Sequence, residues 1–138
     1  MKITSHFLLS EFACRDGTPY PAEWIDDRLT PLCDLLEVVR AWFGRRVRIV
    51  SGYRTLAYNR RIGGALASQH PEGRAADFTV AGAAPFTVHA AVLELHRSGS
   101  LLERGVHLGG LGAYPGFTHV DVRQGNRLAR WGGSRSVG

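Results

Sequence analysis

Residues 68 to 78 read Ser68-Gln69-His70-Pro71-Glu72-Gly73-Arg74-Ala75-Ala76-Asp77-Phe78. Pro at the second position and Gly at the fourth of the segment 70–73 are typical of a type I turn. Such a turn reverses the chain, so that a strand predicted over 75–80 runs back beside His70. An imidazole and a carboxylate seven residues apart can then meet at one ion.

A second alternating segment, residues 117–122, predicts a strand that carries His119 and Asp121. With His70 and Asp77, His119 makes a set of two imidazoles and one carboxylate. Three protein ligands and a water are the usual ligands of a catalytic zinc. The same spacing also arises by chance, and a lone histidine is more often a core or surface residue. Spacing alone therefore leaves both interpretations open.

The wider order of motifs along the chain carries a likeness to a known family. In sequence order these motifs are Ser51-Gly52-Tyr53-Arg54, Asn59, Ile62-Gly63-Gly64-Ala65, Ser68, His70, Gly73, Ala75, Asp77, Gly109-Gly110-Leu111-Gly112, Tyr114, His119-Val120-Asp121-Val122-Arg123 and Arg130-Trp131. The chain resembles the zinc D-Ala-D-Ala carboxypeptidases and related peptidoglycan peptidases (peptidase family M15). The compact members from bacteria and phage lysis modules are the most similar branch, and the likeness runs from Phe7 to Trp131.

The resemblance implies a zinc metallopeptidase that hydrolyses peptide bonds in peptidoglycan stem or cross-link peptides containing D-amino acids. Its ligands would be His70, Asp77 and His119, and the nucleophile would be a zinc-activated water. Carboxypeptidase and endopeptidase activities both stay open. The mixture of strands and helices, with short late links, predicts an α+β fold. The family implies the same: an antiparallel sheet of about four strands, flanked by helices, with the zinc site on the sheet.

Four further residues have expected places in the molecule, those of Arg54 and Ser68 implied by the resemblance and those of Tyr114 and Trp131 inferred from their positions in the sequence. Arg54 corresponds to a family arginine that contacts substrate or the developing oxyanion, and a guanidinium suits both tasks. Ser68 resembles a serine that hydrogen-bonds the substrate. Tyr114 can donate to the oxyanion, although a merely packed tyrosine is equally compatible. Trp131 is predicted to close the core.

The general base departs from the family pattern. Relatives carry an acid three residues before the last ligand or a histidine two residues before it, and here Gly116 and Phe117 stand there. Asp121 shares the strand face of His119. It would either take the proton from the water or accept the spare N–H of the imidazole. Both roles stay open, as does a catalytically silent, zinc-containing domain that binds the cell wall.

The chain is predicted to form a single domain over 1–138, with residues 1–25 as an N-terminal anchor segment and 132–138 as a disordered tail. Long helices are expected from 30 to 43, ended by Gly44, and from 85 towards Gly99, with a short helix over 55–62. Beyond the strand at 75–80, strands are expected at 47–50, 105–110 and 118–122. His89 and His96 are expected to be solvated, and His107 is left out of the ligand set.

Composition limits the other classes of function. The net charge of +5 favours polyanions, but no nucleic-acid motif is present, so we expect peptidoglycan peptides and no nucleic acid as partners. No apolar run approaches a membrane span, and the N-terminus lacks the core of a secretory signal. Synthesis in the cytoplasm and action at the cell wall are therefore expected, and two alternatives stay open, a mature form of an exported protein and export by another route. A monomer is also expected. Cys14 and Cys33 are expected as two separate thiols, with a disulfide left open.

Overall fold

The computed structural model describes residues 1–132, so the tail predicted over 132–138 lies outside the described residues apart from Gly132. The strands are β1 (Lys2–Thr4), β2 (Phe7–Leu8), β3 (Val47–Ser51), β4 (Ala75–Val80), β5 (Gly110–Ala113), β6 (Thr118–Asp121) and β7 (Ala129–Trp131). The α-helices are α1 (Thr30–Phe43), α2 (Leu56–Arg61), α3 (Pro85–Arg97) and α4 (Ser100–Glu103), and they are preceded by 3-10 turns at Leu9–Phe12 and Ala22–Trp24 and a π-helical turn at Ile25–Leu29. Within residues 1–132, no helix has both the length and the apolar character needed to cross a membrane.

The main sheet has five strands in the order β3-β4-β6-β5-β7. The first four pair antiparallel, and β7 joins the edge of β5 in parallel. This confirms the α+β class, with a mixed sheet of five strands where about four antiparallel ones were expected. The last strand was missed because it has only three residues and follows an irregular loop.

The strand predicted over 105–110 is wrong. Residues 105–109 form a loop, and the strand begins at Gly110. The glycines here were taken as turn residues, but they provide space inside the sheet. A Cβ at Gly110 would collide with the Asp121 carboxylate, and one at Gly112 would collide with the Trp131 indole.

The helices cover the sheet as their apolar patterns predict. Pro31 lies in the first turn of α1, and Gly44 ends the helix in the left-handed region at φ +62°, with its N–H donated to the Arg40 carbonyl. Helix α1 contacts β4, while α3 contacts β4, β5 and β6. Side chains of Ala76, Phe78 and Val120 enter this core. Because side chains alternate along a strand, Asp77 and His119 lie on the other face.

The prediction that His89 is solvated is wrong, whereas His96 is exposed as expected. His89 is only 7% exposed. It follows Val88 on α3, and the buried face of this helix is wide enough to include both residues. Its Nε2 has no hydrogen-bond partner in the part of the chain that the structure describes. Burial, with the charge of Arg130 added, lowers the pKa of His89.

The two cysteines are separate buried thiols. Burial raises the pKa of Cys33 well above its ordinary value. A thiol held protonated in this way behaves as a small apolar side chain. Cys33 therefore contributes to packing within α1, where it belongs to the hydrophobic core.

The N-terminal segment contacts two parts of the chain close to the site, at Tyr53 and at Gly73. Phe12 is fully buried, and its carbonyl accepts the Tyr53 N–H at 2.9 Å. Tyr20 donates its hydroxyl to the Gly73 carbonyl at 2.6 Å in a buried position. Gly73 ends the turn that carries His70. We propose on this basis that residues 1–25 anchor the turn.

Tyr20→Phe tests that proposal. The change leaves the buried Gly73 carbonyl without its partner, which should cost about 1–3 kcal/mol of unfolding free energy. Urea unfolding measures the loss, with Tyr58→Phe on α2 as the matched control, expected within about 0.5 kcal/mol of the wild type. Equal stability of Tyr20→Phe and the wild type would show that the hydroxyl does not hold the turn.

Candidate metal centre

A turn and a strand pairing bring the predicted ligands together. The Gly73 N–H donates to the His70 carbonyl at 3.1 Å and closes the predicted turn. The chain then enters β4, where Asp77 lies directly opposite His119 of β6. Side chains of directly opposed residues share one face of the sheet. His70, Asp77 and His119 consequently converge on the face away from the core.

The three side chains form a buried group that could hold a metal ion. One ligand atom from each lies within 4.8 Å of the others. Asp77 Oδ1 is 3.2 Å from His70 Nε2 and 2.9 Å from His119 Nδ1. The exposed fractions of His70, Asp77 and His119 are 2%, 4% and 5%. Burial at this level excludes most of the solvent that would otherwise stabilise these polar groups.

The tautomer of His70 is set by the backbone. His70 Nδ1 is 2.7 Å from the Gly52 carbonyl oxygen. A carbonyl only accepts, so Nδ1 carries the proton and donates it. In the neutral ring, Nε2 is then a bare acceptor that faces Asp77.

Asp121 sets the tautomer of His119 in the same manner. His119 Nε2 is 2.8 Å from Asp121 Oδ2, to which it donates. The neutral ring therefore presents a bare Nδ1 to Asp77. Two imidazole lone pairs and a carboxylate thus point at one another, an arrangement that needs a cation or shared protons between them. Two neutral imidazoles and one carboxylate are a donor set that fits zinc.

Charged neighbours oppose the effect of burial on the pKa values of Asp77 and His119. Burial raises the pKa of Asp77, but hydrogen bonds with His119 and His70, which require a proton on the ring nitrogen that faces Asp77, outweigh it and hold that pKa well below the ordinary value. Burial likewise lowers the pKa of His119, and the carboxylates of Asp121 and Asp77 reverse this to a net rise. Protons and a metal ion would compete for the same ring nitrogens.

Arg54 is fixed beside the group by three hydrogen bonds. Its guanidinium donates to Asp77 Oδ2 at 3.1 Å, to Ser51 Oγ at 3.2 Å and to Asn59 Oδ1 at 3.0 Å. Asn59, only 6% exposed, also donates to the Ala65 carbonyl at 3.0 Å. Asn59 is one of the residues that carry the family likeness. Its neighbours in the sequence did not indicate that it connects Arg54 to the loop after α2.

Asp121 lies behind the imidazole and is fully buried. Arg123 donates to it with Nε at 2.8 Å and with Nη2 at 2.7 Å, a bidentate pair. Burial raises the pKa of Asp121, but hydrogen bonds from Arg123 and His119 lower it to about 2. The sequence did not assign a role to Arg123, because its bond to a residue two positions earlier depends on how the chain leaves β6.

The sequence profile of peptidase M15 matches residues 5–121. The chain belongs to the peptidase M15 family. The matched region contains all three metal-capable residues and Arg54, and it ends before β7. No curated protein is significantly similar to the chain in sequence.

A cavity of about 520 Å³ opens over the metal-capable group of this M15 peptidase. The three residues expected to bind substrate, Arg54, Ser68 and Tyr114, all line it. Ser68 Oγ accepts the His70 N–H at 3.2 Å. The remaining lining residues are Ile62, Gly63, Gly64, Ala65, Ala67, Gln69, Phe117, Arg123 and Trp131. The cavity therefore gathers the predicted side chains around the group, together with an aromatic wall that was not foreseen.

The structure also gives the positions of Trp131, which the sequence predicted differently, and of His107, which was left out of the ligand set. Trp131, expected to close the core, lines the cavity, and its ring centroid is 4.9 Å from that of His119. His107 is exposed and donates Nε2–H to the Arg123 carbonyl at 2.7 Å. It lines a different cavity, between α3, α4 and the loop at 125–128. Leaving His107 out of the ligand set agrees with this position.

Proposed function

We propose that this M15 peptidase is a zinc-dependent, monomeric hydrolase of peptide bonds in bacterial peptidoglycan, acting on stem or cross-link peptides that contain D-amino acids. The observation that carries the proposal is the buried convergence of His70, Asp77 and His119 at the floor of a cavity. The substrate class rests on the motif order of the sequence and on membership of a peptidase family.

The proposed chemistry divides between the ion and the side chains. Zinc, when bound, polarises a peptide carbonyl and acidifies a water to supply the nucleophile. Arg54 is held by Asp77, Ser51 and Asn59, so its guanidinium is oriented before substrate arrives. A fixed cation of this kind stabilises negative charge that develops on the carbonyl oxygen. Ser68, at the cavity wall, would hydrogen-bond the peptide.

We assign Asp121 the positioning role rather than that of the base. Its Oδ2 accepts from His119 and Arg123 and its Oδ1 accepts from Arg123. It is fully buried on the far side of the imidazole from Asp77. A carboxylate in this place holds the ring orientation and makes the opposite nitrogen a better ligand. Its pKa of about 2 also makes it a weak acceptor for a proton at neutral pH.

The second candidate function is that of a domain that binds zinc but does not catalyse hydrolysis. In the part of the chain that the structure describes, the carboxylates and imidazoles lining the cavity are those of Asp77, His70 and His119 alone. No further carboxylate or imidazole there is free to take a proton from water. This observation favours a zinc-containing domain that binds cell-wall peptides without cleaving them.

Incubation with purified sacculi separates the two candidates. We expect the zinc-loaded protein to release stem-peptide fragments with new amino or carboxyl termini, detected by mass spectrometry. His70→Gln should lose this activity, and His96→Gln, at an exposed histidine of α3, should retain it. Binding of sacculi without any new product supports the silent domain, and neither binding nor product contradicts both functions.

A further inference from the structure

Strand β7 delivers an indole to the wall of the cavity. Trp131 pairs in register with Gly112 of β5, and its ring occupies the space that a side chain at Gly112 would need. Its centroid is 4.9 Å from the His119 ring, and the Arg123 guanidinium lies 5.3 Å from it. The indole is thereby held against a metal-capable residue.

The indole makes one directed contact inside the cavity. Trp131 Nε1 lies 2.7 Å from the hydroxyl oxygen of Tyr114. An indole N–H only donates, so the phenol oxygen is the acceptor. The single hydroxyl proton of Tyr114 consequently points away from Trp131 and stays available to another acceptor.

A second contact holds the tyrosine ring. Tyr114 stacks on Phe117 with centroids 4.6 Å apart and an interplanar angle of 20°. Tyr114, Phe117 and Trp131 all line the cavity that contains His70, Asp77 and His119. Stacking fixes the ring plane and the indole bond fixes the oxygen, so the hydroxyl is oriented before a ligand enters.

We propose that Tyr114 donates a hydrogen bond to the peptide carbonyl oxygen as that oxygen gains negative charge, and that Trp131 is the positioning residue that orients it. The inference rests on the proposed peptidase function. It resolves the alternative left open by the sequence, in which Tyr114 was equally compatible with packing. A neutral donor aimed in advance at a developing oxyanion lowers the barrier without reorganisation during the reaction.

The Trp131–Tyr114 bond is tested without metal or substrate. In ¹⁵N-labelled protein we expect separate N–H signals from the indoles of Trp24, Trp42 and Trp131, and Trp131→Phe assigns the third. In Tyr114→Phe we expect that signal to move to lower proton shift and its solvent exchange to accelerate about 2- to 10-fold, the equivalent of one net hydrogen bond. Tyr58→Phe is the control that leaves it in place. An unchanged Trp131 signal in Tyr114→Phe overturns the positioning role.

Kinetics on peptidoglycan peptides test the donor role. Tyr114→Phe should lower kcat by about 100-fold, the scale of one lost oxyanion donor, with KM and zinc content unchanged. Trp131→Phe keeps an aromatic ring but loses the N–H, and we expect kcat to fall about 10-fold. The double variant should match Tyr114→Phe alone, because the indole acts through the phenol.

Two outcomes overturn the donor role: wild-type kcat in Tyr114→Phe, and a rise in KM that accounts for the whole effect. Multiplicative losses in the double variant overturn the positioning role of Trp131. Thermal melting of each variant identifies a loss that comes from misfolding. Absence of hydrolysis by the wild type overturns the proposed function and the donor role together, while the indole signal still decides whether Trp131 orients Tyr114.

Discussion

Asp77→Asn is expected to lower zinc affinity by more than about 100-fold, beyond the range seen for residues that only support a ligand, and to remove cleavage at one equivalent of zinc. Asp77 supplies the only carboxylate of the metal-capable group and contacts both imidazoles and Arg54. An amide keeps the shape of the side chain but not the negative charge that offsets a divalent ion. Competition with a chelator of known affinity measures the loss.

The control for Asp77→Asn is Asp34→Asn, the same chemical change at an exposed position of α1. It should retain zinc affinity and cleavage. Thermal melting of the metal-free proteins shows whether Asp77→Asn, in which Arg54 loses the carboxylate that it contacts, still folds. Wild-type zinc affinity in a folded Asp77→Asn protein would contradict the assignment of Asp77 as a ligand.

The approach of His70 and Asp77 could be predicted from local rules, whereas the family resemblance was needed to favour His119 as the third member of the set. Turn chemistry at 70–73 reverses the chain, and alternation along β4 and β6 places each side chain on a face. The structure adds the register that sets Asp77 opposite His119. Local rules and the family resemblance together therefore predicted which residues meet, and the structure supplied the exact pairing of their strands.

The part of the sheet formed by β5 and β7 could not be predicted from such rules. Glycines usually indicate turns, and here Gly110 and Gly112 are buried in a strand because other side chains need their space. The space at Gly112 is filled by Trp131, nineteen residues later in the chain. A residue whose purpose is to make room for a distant partner has no local signature, and the role of Trp131 was misjudged for the same reason.

The sequence left two roles open for Asp121, that of proton acceptor from the water and that of acceptor for the N–H of His119. The atoms that the carboxylate contacts distinguish these roles. A shared strand face placed it near His119 but did not say which ring nitrogen it would meet. The structure adds that Asp121 accepts from Nε2 while Nδ1 faces Asp77, and that Arg123 occupies both oxygens. Contacts of this kind support a residue that acts through the imidazole.

Asp121→Asn is accordingly expected to weaken zinc binding by about 10- to 100-fold, the usual effect of losing a partner behind a ligating histidine. The amide oxygen can still accept from His119, but it offers Arg123 no charge and makes the imidazole less basic. Excess zinc should restore most of the cleavage, because the side chains that face the peptide are unchanged. Titration of activity against free zinc measures both effects.

Gly110→Ala provides a matched variant that leaves the carboxylate in the chain. Its methyl group would collide with the Asp121 carboxylate and displace it from His119. If Asp121 acts by position, Gly110→Ala should weaken zinc binding in the same direction and should also be rescued by excess metal. If instead Asp121→Asn binds zinc like the wild type and loses cleavage by at least about 100-fold, the carboxylate is the proton acceptor and the positioning role is wrong.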